Sequence, residues 1–379
     1  MYYCRFADLI TDDDVAEINI PFTLDRRIIS PGAFSSSFVI PNADVGAVVA
    51  KIVPMRTVCH VYRNEMILGS YIIWIRKYSS SDGIVKVDLQ GASLESFFYR
   101  RRLQDDVSYT GAEQLDLAAD LIYQGQLGLP GYPVSGSLGL ATTIYEPSGI
   151  LRDRTYFKAD GKFIGDILEE LANVDAGFEY VIHTWFDGAI RHREITFAYD
   201  KLNSDVEPFT VDEPGGVTSW EILYDGTRGG TVFWARGQTS ASAEGEETVP
   251  TLSDPAIAFS YLDNGWPIIE VLADYQNASL LSTLNGYAAW WALNRSGPVT
   301  IPSFKVNPSS LFSHGFSPFS LGSTLNVVLA NPAFPLTETG SPSMIFSSRM
   351  IGFELSVSEA GEDEMSIIVE TDFDPTEVI

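Results

Sequence analysis

The chain has 379 residues, 45% of them apolar, a formal net charge of −26 and two cysteines. That length exceeds a single small core and predicts roughly two to four domains, and the apolar share excludes a disordered chain. So negative a surface excludes tight nucleic-acid binding, although it lets a duplex slide past without sticking.

No apolar run reaches the ~18 residues of a membrane helix, so no membrane-spanning segment is expected. The opening Met1–Asp8 has no charged region followed by an apolar one, so no signal peptide is expected. Cys4 and Cys59 are too few for a disulfide scaffold and read as buried free thiols of a protein made in a reducing cytosol.

In chain order, Met1–Phe6 reads as a first strand. Thr11-Asp12-Asp13-Asp14 lacks the alternating ligands and glycine of a calcium loop and reads as a solvated turn. Ile18–Leu24 alternates as a strand, Ser30-Pro31-Gly32 breaks it, and Phe34–Ile40 resumes until Pro41-Asn42-Ala43-Asp44. Val58–Tyr62 and Met66–Ile75 flank Arg63-Asn64-Glu65 as a hairpin. Tyr71–Lys77 and Ile84–Leu89 form another around Ser79–Gly83, where Asp82-Gly83 accepts the positive φ of a tight turn. About seven strands before residue 90 are enough for a small barrel or a sandwich.

Gly91–Leu103 leaves this module as a short helix or an extended arm. It carries Arg100-Arg101-Arg102, a dense positive run in an acidic chain. The run is either a candidate protein-docking patch for an acidic neighbour or a solvated face paired with Asp105 and Asp106.

Thr110-Gly111-Ala112-Glu113 has capping-box spacing and predicts a helix with Leu115, Ala118, Ala119 and Ile122 on one face. Gly125–Gly149 reads as a long surface loop. Asp160 is expected to cap a second helix carrying Phe163, Ile164, Ile167, Leu168 and Leu171. Phe178–Trp185 and Ala189–Tyr199 make a hairpin around Asp187-Gly188.

Past Pro214-Gly215-Gly216, Val217–Tyr224 pairs with Thr231–Arg236, and Gly237–Asp254 reads as a mobile loop. Ala256–Leu262 and Trp266–Val271 are candidate strands. Ser279–Arg295 reads as a helix with Leu280, Leu284, Tyr287, Ala288 and Trp291 at helical spacing, and the Trp290-Trp291 pair reads as one face of a core helix rather than a ligand platform. Leu325–Leu329, Met350–Val357 and Met365–Val369 close the chain as strands. Ile67–Trp74 and Met350–Val357 each set a Gly after two apolar residues, a faint internal repeat.

No residue stands out as catalytic or metal-ligating. His60, His183, His192 and His314 form no metal-ligand spacing, although His183 and His192 lie on opposite arms of one predicted hairpin. There is no Gly-x-Ser-x-Gly elbow, P-loop or dinucleotide fingerprint. The reading is of a non-enzyme with no cofactor.

The order is therefore a β-module, an α/β insert, more strands, a helix-bearing insert and a closing β-module. With Pro31-Gly32-Ala33-Phe34, Ile40–Asp44, Ile67-Leu68-Gly69 with Trp74, Asp88–Leu94 with the arginine run, Ile167–Leu171 before Gly177–Tyr180, and Met350-Ile351-Gly352, the chain resembles the tail-tip or baseplate hub proteins of long-tailed bacteriophages. The resemblance is nearest to the minor tail proteins of siphophages infecting actinobacteria. One position departs: that family sets an acidic residue after the glycine near Gly322, and Ser323 stands here.

The resemblance implies a baseplate-hub-like, ring-forming α+β fold, mainly β, with two small β-barrel modules and α/β insert domains. The expected parts are an N-terminal barrel over 1–104, an α/β domain over 105–213, a second barrel from 214–238 plus 310–379, and a helix-containing insert over 239–309. It further implies a homotrimer presenting six similar modules around a channel for DNA, placed in the virion at the tail tip and assembled in the host cytoplasm. Expected partners are the distal tail ring protein, other minor tail proteins, a tail fibre or spike, and DNA in transient passage. A receptor- or carbohydrate-binding tail protein and a cell-wall hydrolase are the competing readings.

Overall fold

The computed structural model describes residues 1–129, 137–174, 176–204, 206–239, 249–276, 278–334 and 343–370. It is mainly β, with 48% strand and 20% helix. Two compact units emerge, one from Met1–Ser219 with Phe304–Val369 and one built on Trp220–Ser303.

In the first unit the amino-terminal strands are β1 (Tyr2–Asp8), β2 (Asp14–Ile18), β3 (Phe22–Arg27), β4 (Ala33–Val39), β5 (Thr57–Arg63), β6 (Met66–Ser81) and β7 (Ile84–Ser93). Together with the carboxy-terminal strands Met344–Val357 and Asp363–Val369 they belong to one larger sheet, in which the order runs 363–369, 344–357, β3, β4, β7, β6, β5, β1, β2. No sheet closes as a barrel; strands from the two ends of the chain share this one open sheet instead. The joint is β3 against 344–357, antiparallel, with Leu24 opposite Leu355 and Thr23 opposite Ser356. Alternation drives the arrangement: Phe22, Leu24, Phe34, Val87, Leu89, Phe353 and Leu355 turn to one side and are buried.

The β6–β7 hairpin is longer than its sequence pattern suggests. Ser79–Ser81 belong to β6, leaving Asp82 (φ 51°) and Gly83 (φ 78°) as a two-residue turn. Between β4 and β5 lies a helix the sequence reading missed, α1 (Ala43–Ala50), whose Asn42 side chain accepts from Val45 N at 3.0 Å. Its valine content hid it, since β-branched residues are weak helix formers. After β7 the chain makes a 3-10 turn over Leu94–Arg100.

The α/β layer follows. β8 (Val107–Glu113) runs through the expected capping box into α2 (Gln114–Gln126), and Glu113 is the cap, its Oε2 accepting from Leu115 N at 2.8 Å and Asp116 N at 3.1 Å. Inside the expected 125–149 loop lies β9 (Leu140–Ile144), parallel to a later strand; residues 130–136 of that loop lie outside the described residues. β10 (Leu151–Tyr156) pairs β8. Asp160 does not cap the second helix: it ends a 3-10 turn, and α3 (Ile164–Ala172) starts after Phe163. The 178–199 hairpin forms as read, as β11 (Glu179–Phe186) and β12 (Arg191–Ala198). Leu115, Leu121, Ile164, Leu168, Phe178 and Phe197 share one core, which also takes in Leu94 and Phe98 from the 3-10 turn.

The second unit is smaller. Val232–Thr239 is its central strand, flanked by Pro250–Leu252, Ala256–Ile257 and the parallel Glu270–Asp274. The helix Leu281–Asn294 packs Leu284, Ala288 and Trp291 against Phe233 and Ala235, and Trp291 Nε1 donates to the Tyr275 hydroxyl at 2.8 Å. Leu280, expected on the buried face, precedes the helix and is exposed. Of the expected mobile loop, residues 237–239 and 250–252 are strand and 240–248 lie outside the described residues.

If the joint holds the sheet together, Leu24→Ala, at a fully buried position there, lowers stability by about 2–5 kcal/mol. Ser35→Ala, on the solvent side of β4, changes it by no more than about 0.5 kcal/mol. Urea midpoints of the two variants check this.

Candidate functional site: the open sheet face and its struts

The side of the large sheet turned away from its core is polar across the joint. One row runs Gln90, Ser35, Thr23, Ser356, Glu364 through successive strand pairs. Thr23 Oγ1 and Ser356 Oγ meet across the joint at 2.9 Å, and the Ser37 hydroxyl donates to Asp88 Oδ1 at 2.6 Å. A groove of about 660 Å³ follows this row. The next row sets Asp25 opposite Glu354. Like charges in a directly opposed pair lower sheet stability, so this pair is not accounted for by stability. Arg27 Nε lies 3.0 Å from Asp25 Oδ2, and Lys305 Nζ lies 2.7 Å from Glu364 Oε1. What such a face can do is bind polar groups weakly and repel phosphate.

Behind the sheet, three charged contacts fix the α/β layer. The loop after β1 turns through Asp12 at φ 62°, and its carboxylate takes Arg191 Nε at 2.6 Å, an Arg193 guanidinium nitrogen, and His60 Nε2 at 3.1 Å. Arg193 also donates to the Leu9 carbonyl at 2.7 Å. The expected solvated turn is thus a lock: Asp12 is drawn into β12 because Arg191 and Arg193, two apart on one strand, project to the same side. Second, the Ile182 peptide is held at both ends, its N–H donating to Glu95 Oε1 and its carbonyl accepting from Arg26, each at 2.8 Å. Third, Arg349 donates to both Glu179 carboxylate oxygens, to the Leu202 carbonyl at 3.0 Å and to the Gly322 carbonyl at 2.8 Å.

Burial pushes His60 down to about 4, only partly offset by Asp12. The ring is therefore neutral at pH 7. Since a carboxylate only accepts, Nε2 carries the proton toward Asp12 and Nδ1 accepts from the Ser70 hydroxyl at 2.7 Å. Burial also pushes the Asp12 carboxyl up, but its His60 hydrogen bond and the arginine charges more than offset this and hold it well below the usual carboxylate range. His183 is pushed down to about 3 by burial, then by the Arg26 charge, and its ring stacks on Phe319 at 4.4 Å. It faces Glu194 across the hairpin, while His192 faces Trp185 and bonds Asp187 at 2.7 Å, so the two histidines are not opposed. His314 Nδ1 sits 2.7 Å from the Ser310 carbonyl.

The arginine run splits in two. Arg101 turns inward, donating from Nε to the Gly125 carbonyl at 2.8 Å and from a terminal nitrogen to Leu127, so that it closes the end of α2. Arg100 and Arg102 stay exposed, over the rings of Trp74 at 5.6 Å and Phe163 at 4.9 Å. Neither has an ion pair with Asp105 or Asp106 among the described contacts; Asp106 Oδ1 accepts from Lys158 N at 2.8 Å.

No protein-family model matches the chain, and no curated protein matches its sequence. Solved structures do match. The 43 kDa tail protein of prophage MuSo2 from Shewanella oneidensis is similar over the whole of both chains, at 9% identity and a TM-score of 0.60. The fold is similar to that of solved phage tail proteins. The tail protein from Neisseria meningitidis MC58 gives a TM-score of 0.55 at 13% identity, over 98% of this chain and 97% of that one. Prophage tail protein gp18 from Listeria monocytogenes EGD-e gives 0.50 at 9% identity, over 99% and 97%.

Two outcomes follow from the Asp12 lock. Asp12→Ala leaves the Arg193 side chain, 5% exposed, without its carboxylate and the Arg191 side chain, 7% exposed, with Asp14 alone at 2.7 Å, and costs about 3–5 kcal/mol, whereas the exposed Asp13→Ala costs no more than about 0.5 kcal/mol. Because His60 and His183 titrate lower in the folded chain than the ~6.5 of an unfolded one, stability is full above about pH 6.5 and falls as pH drops toward about 4. His60→Gln flattens part of that slope, as read from urea midpoints at stepped pH.

Proposed function

We propose that this chain is a non-catalytic structural hub of a phage tail tip or baseplate. It assembles as a homotrimeric ring that joins the tail tube to the host-recognition apparatus and leaves a channel for DNA. The observation that carries the reading is the joint between β3 and 344–357, which makes the amino- and carboxy-terminal strands one sheet with a continuous polar face. Agreement in fold with phage tail proteins over nearly the full length of each chain supports it. In such a ring the row of Gln90, Ser35, Thr23, Ser356 and Glu364, with Asp25, Asp88 and Glu354 beside it, lines the opening. Short hydroxyls and carboxylates there hold no phosphate, so DNA passes without stalling.

In this reading the four expected parts are assembly modules, and Arg100 and Arg102 are a docking patch on the outside of the ring. The partners are the distal tail ring protein, other minor tail proteins, and a fibre or spike. The particle belongs to the virion and is put together in the host cytoplasm; a host among the actinobacteria rests on sequence resemblance alone. A second reading, a receptor- or glycan-binding tail protein, draws on the exposed Phe259, Trp266 and Ile268 of the smaller unit, and a glycan array with purified protein separates it from the first.

Mass photometry and electron microscopy of the purified chain test the hub directly. Three-subunit particles with an axial opening are expected; a persistent monomer, or a trimer without an opening, overturns the ring.

A further inference from the structure

Arg100 ends the 3-10 turn Leu94–Arg100, and Arg102 pairs with Phe163 through a single antiparallel bridge. Arg101 between them is extended, at φ −116° and ψ 131°, and its side chain runs inward to the carbonyls of Gly125 and Leu127. Side chains alternate along extended backbone, so Arg100 and Arg102 both turn outward, about 6.5 Å apart along the chain. Each guanidinium then lies over a ring, Arg100 over Trp74 and Arg102 over Phe163. Both rings are held in place. Trp74 Nε1 donates to the Ser96 hydroxyl at 3.1 Å, and the Ile164 N–H next to Phe163 donates to the Arg101 carbonyl at 2.8 Å.

A solvated face in so acidic a chain would find carboxylates of its own, as Arg5, Arg27, Arg56 and Lys305 do. Among the described residues no carboxylate pairs the Arg100 or Arg102 side chain, although Asp105 and Asp106 are close in sequence and exposed. Lys162, next to Phe163, turns its amine to Glu170 at 2.7 Å instead. A ring beneath a guanidinium restricts it and covers one face, while the N–H edge stays free as a planar fork. That fork takes a carboxylate through two parallel N–H···O bonds. In an extended peptide, residues i and i+2 stand the same ~6.5 Å apart, so alternate carboxylates match the two arginines one for one. The fork fits phosphate too, but a long polyphosphate meets the charge of −26 on the whole chain. A short acidic segment meets little beyond the patch, because charges more than about 8 Å away are screened.

We infer that Arg100 and Arg102 together bind an extended acidic segment of another tail protein, one whose carboxylates recur at every second residue. Each arginine takes one carboxylate. Arg101 is the positioning residue, since its inward bonds fix the outward turn of its neighbours. This rests on the docking patch proposed above and names the chemistry of what docks there.

The test uses the full-length chain and two fluorescent heptapeptides of one composition, four glutamates and three serines. One peptide alternates them. The other sets the glutamates in adjacent pairs, two serines apart, so that no two are separated by a single residue. Fluorescence anisotropy is expected to show the alternating peptide bound about fivefold tighter. Arg100→Gln and Arg102→Gln each remove that advantage, and Arg102→Lys, which keeps the charge but loses the fork, weakens it. Lys51→Gln, an exposed base at the end of α1, leaves it unchanged. Equal binding of the two peptides, or no effect of Arg102→Lys, reduces the patch to plain charge and overturns the inference. Tighter binding of a fluorescent oligothymidylate, or no binding of either peptide, overturns it too. Mass photometry of the same samples keeps the hub reading separate. A ring that binds neither peptide overturns the acidic partner and leaves the hub standing. A ring lost in the Arg100→Gln, Arg102→Gln double variant sets these arginines against a second copy and overturns the outside partner.

Discussion

Strand pairing between β3 and Gly352–Val357 is the contact on which the first unit depends. Its partners are more than 300 residues apart: the Thr23–Ser356 hydroxyl contact spans 333 positions. Between them in sequence come β4 to β7 of the same sheet, the α/β layer and the chain of the smaller unit. Leu24 and Leu355, both fully buried, sit opposite each other at this seam, so the seam is both a backbone ladder and part of the core. A sheet made continuous in this way presents one unbroken face, and the polar rows on that face depend on the seam for their register, because a slip of one residue would exchange Thr23 and Ser356 for their buried neighbours.

The struts explain why the α/β layer is held to this sheet by charge as well as by its apolar contacts. Asp12, Glu95 and Glu179 reach arginines or peptide groups from elements far apart in sequence. Each group is partly or wholly withdrawn from water, where loss of one partner costs more than the pair itself contributes. Such contacts favour one docking geometry over nearby ones, which an apolar interface alone tolerates more loosely.

Much of the strand content was legible because half-buried strands write their burial as alternation, as in Phe22–Arg27 and Ala33–Val39. Turn residues fixed the 64 and 82–83 reversals for a local reason, the positive φ at Asn64, Asp82 and Gly83. What escaped was non-local. Nothing near Asp12 announces that Arg191 and Arg193 will reach it; the trace was Arg-x-Arg at the start of a largely buried strand. β9 escaped because a short parallel strand in a Gly- and Ser-rich stretch has too few residues to show a period. The outward polar rows were present as alternate Ser, Thr, Gln, Asp and Glu, but only the pairing of strands from opposite ends of the chain assembles them into a face.

The distance spanned by the seam has a consequence for biosynthesis. At about 5–20 residues per second on the ribosome, β3 waits on the order of half a minute for its partner strand to be translated. Throughout that interval the newly made amino-terminal strands display a bare backbone edge. Any neighbouring nascent chain from the same polysome carries a matching edge, which makes production of this protein sensitive to chaperone supply and to translation speed.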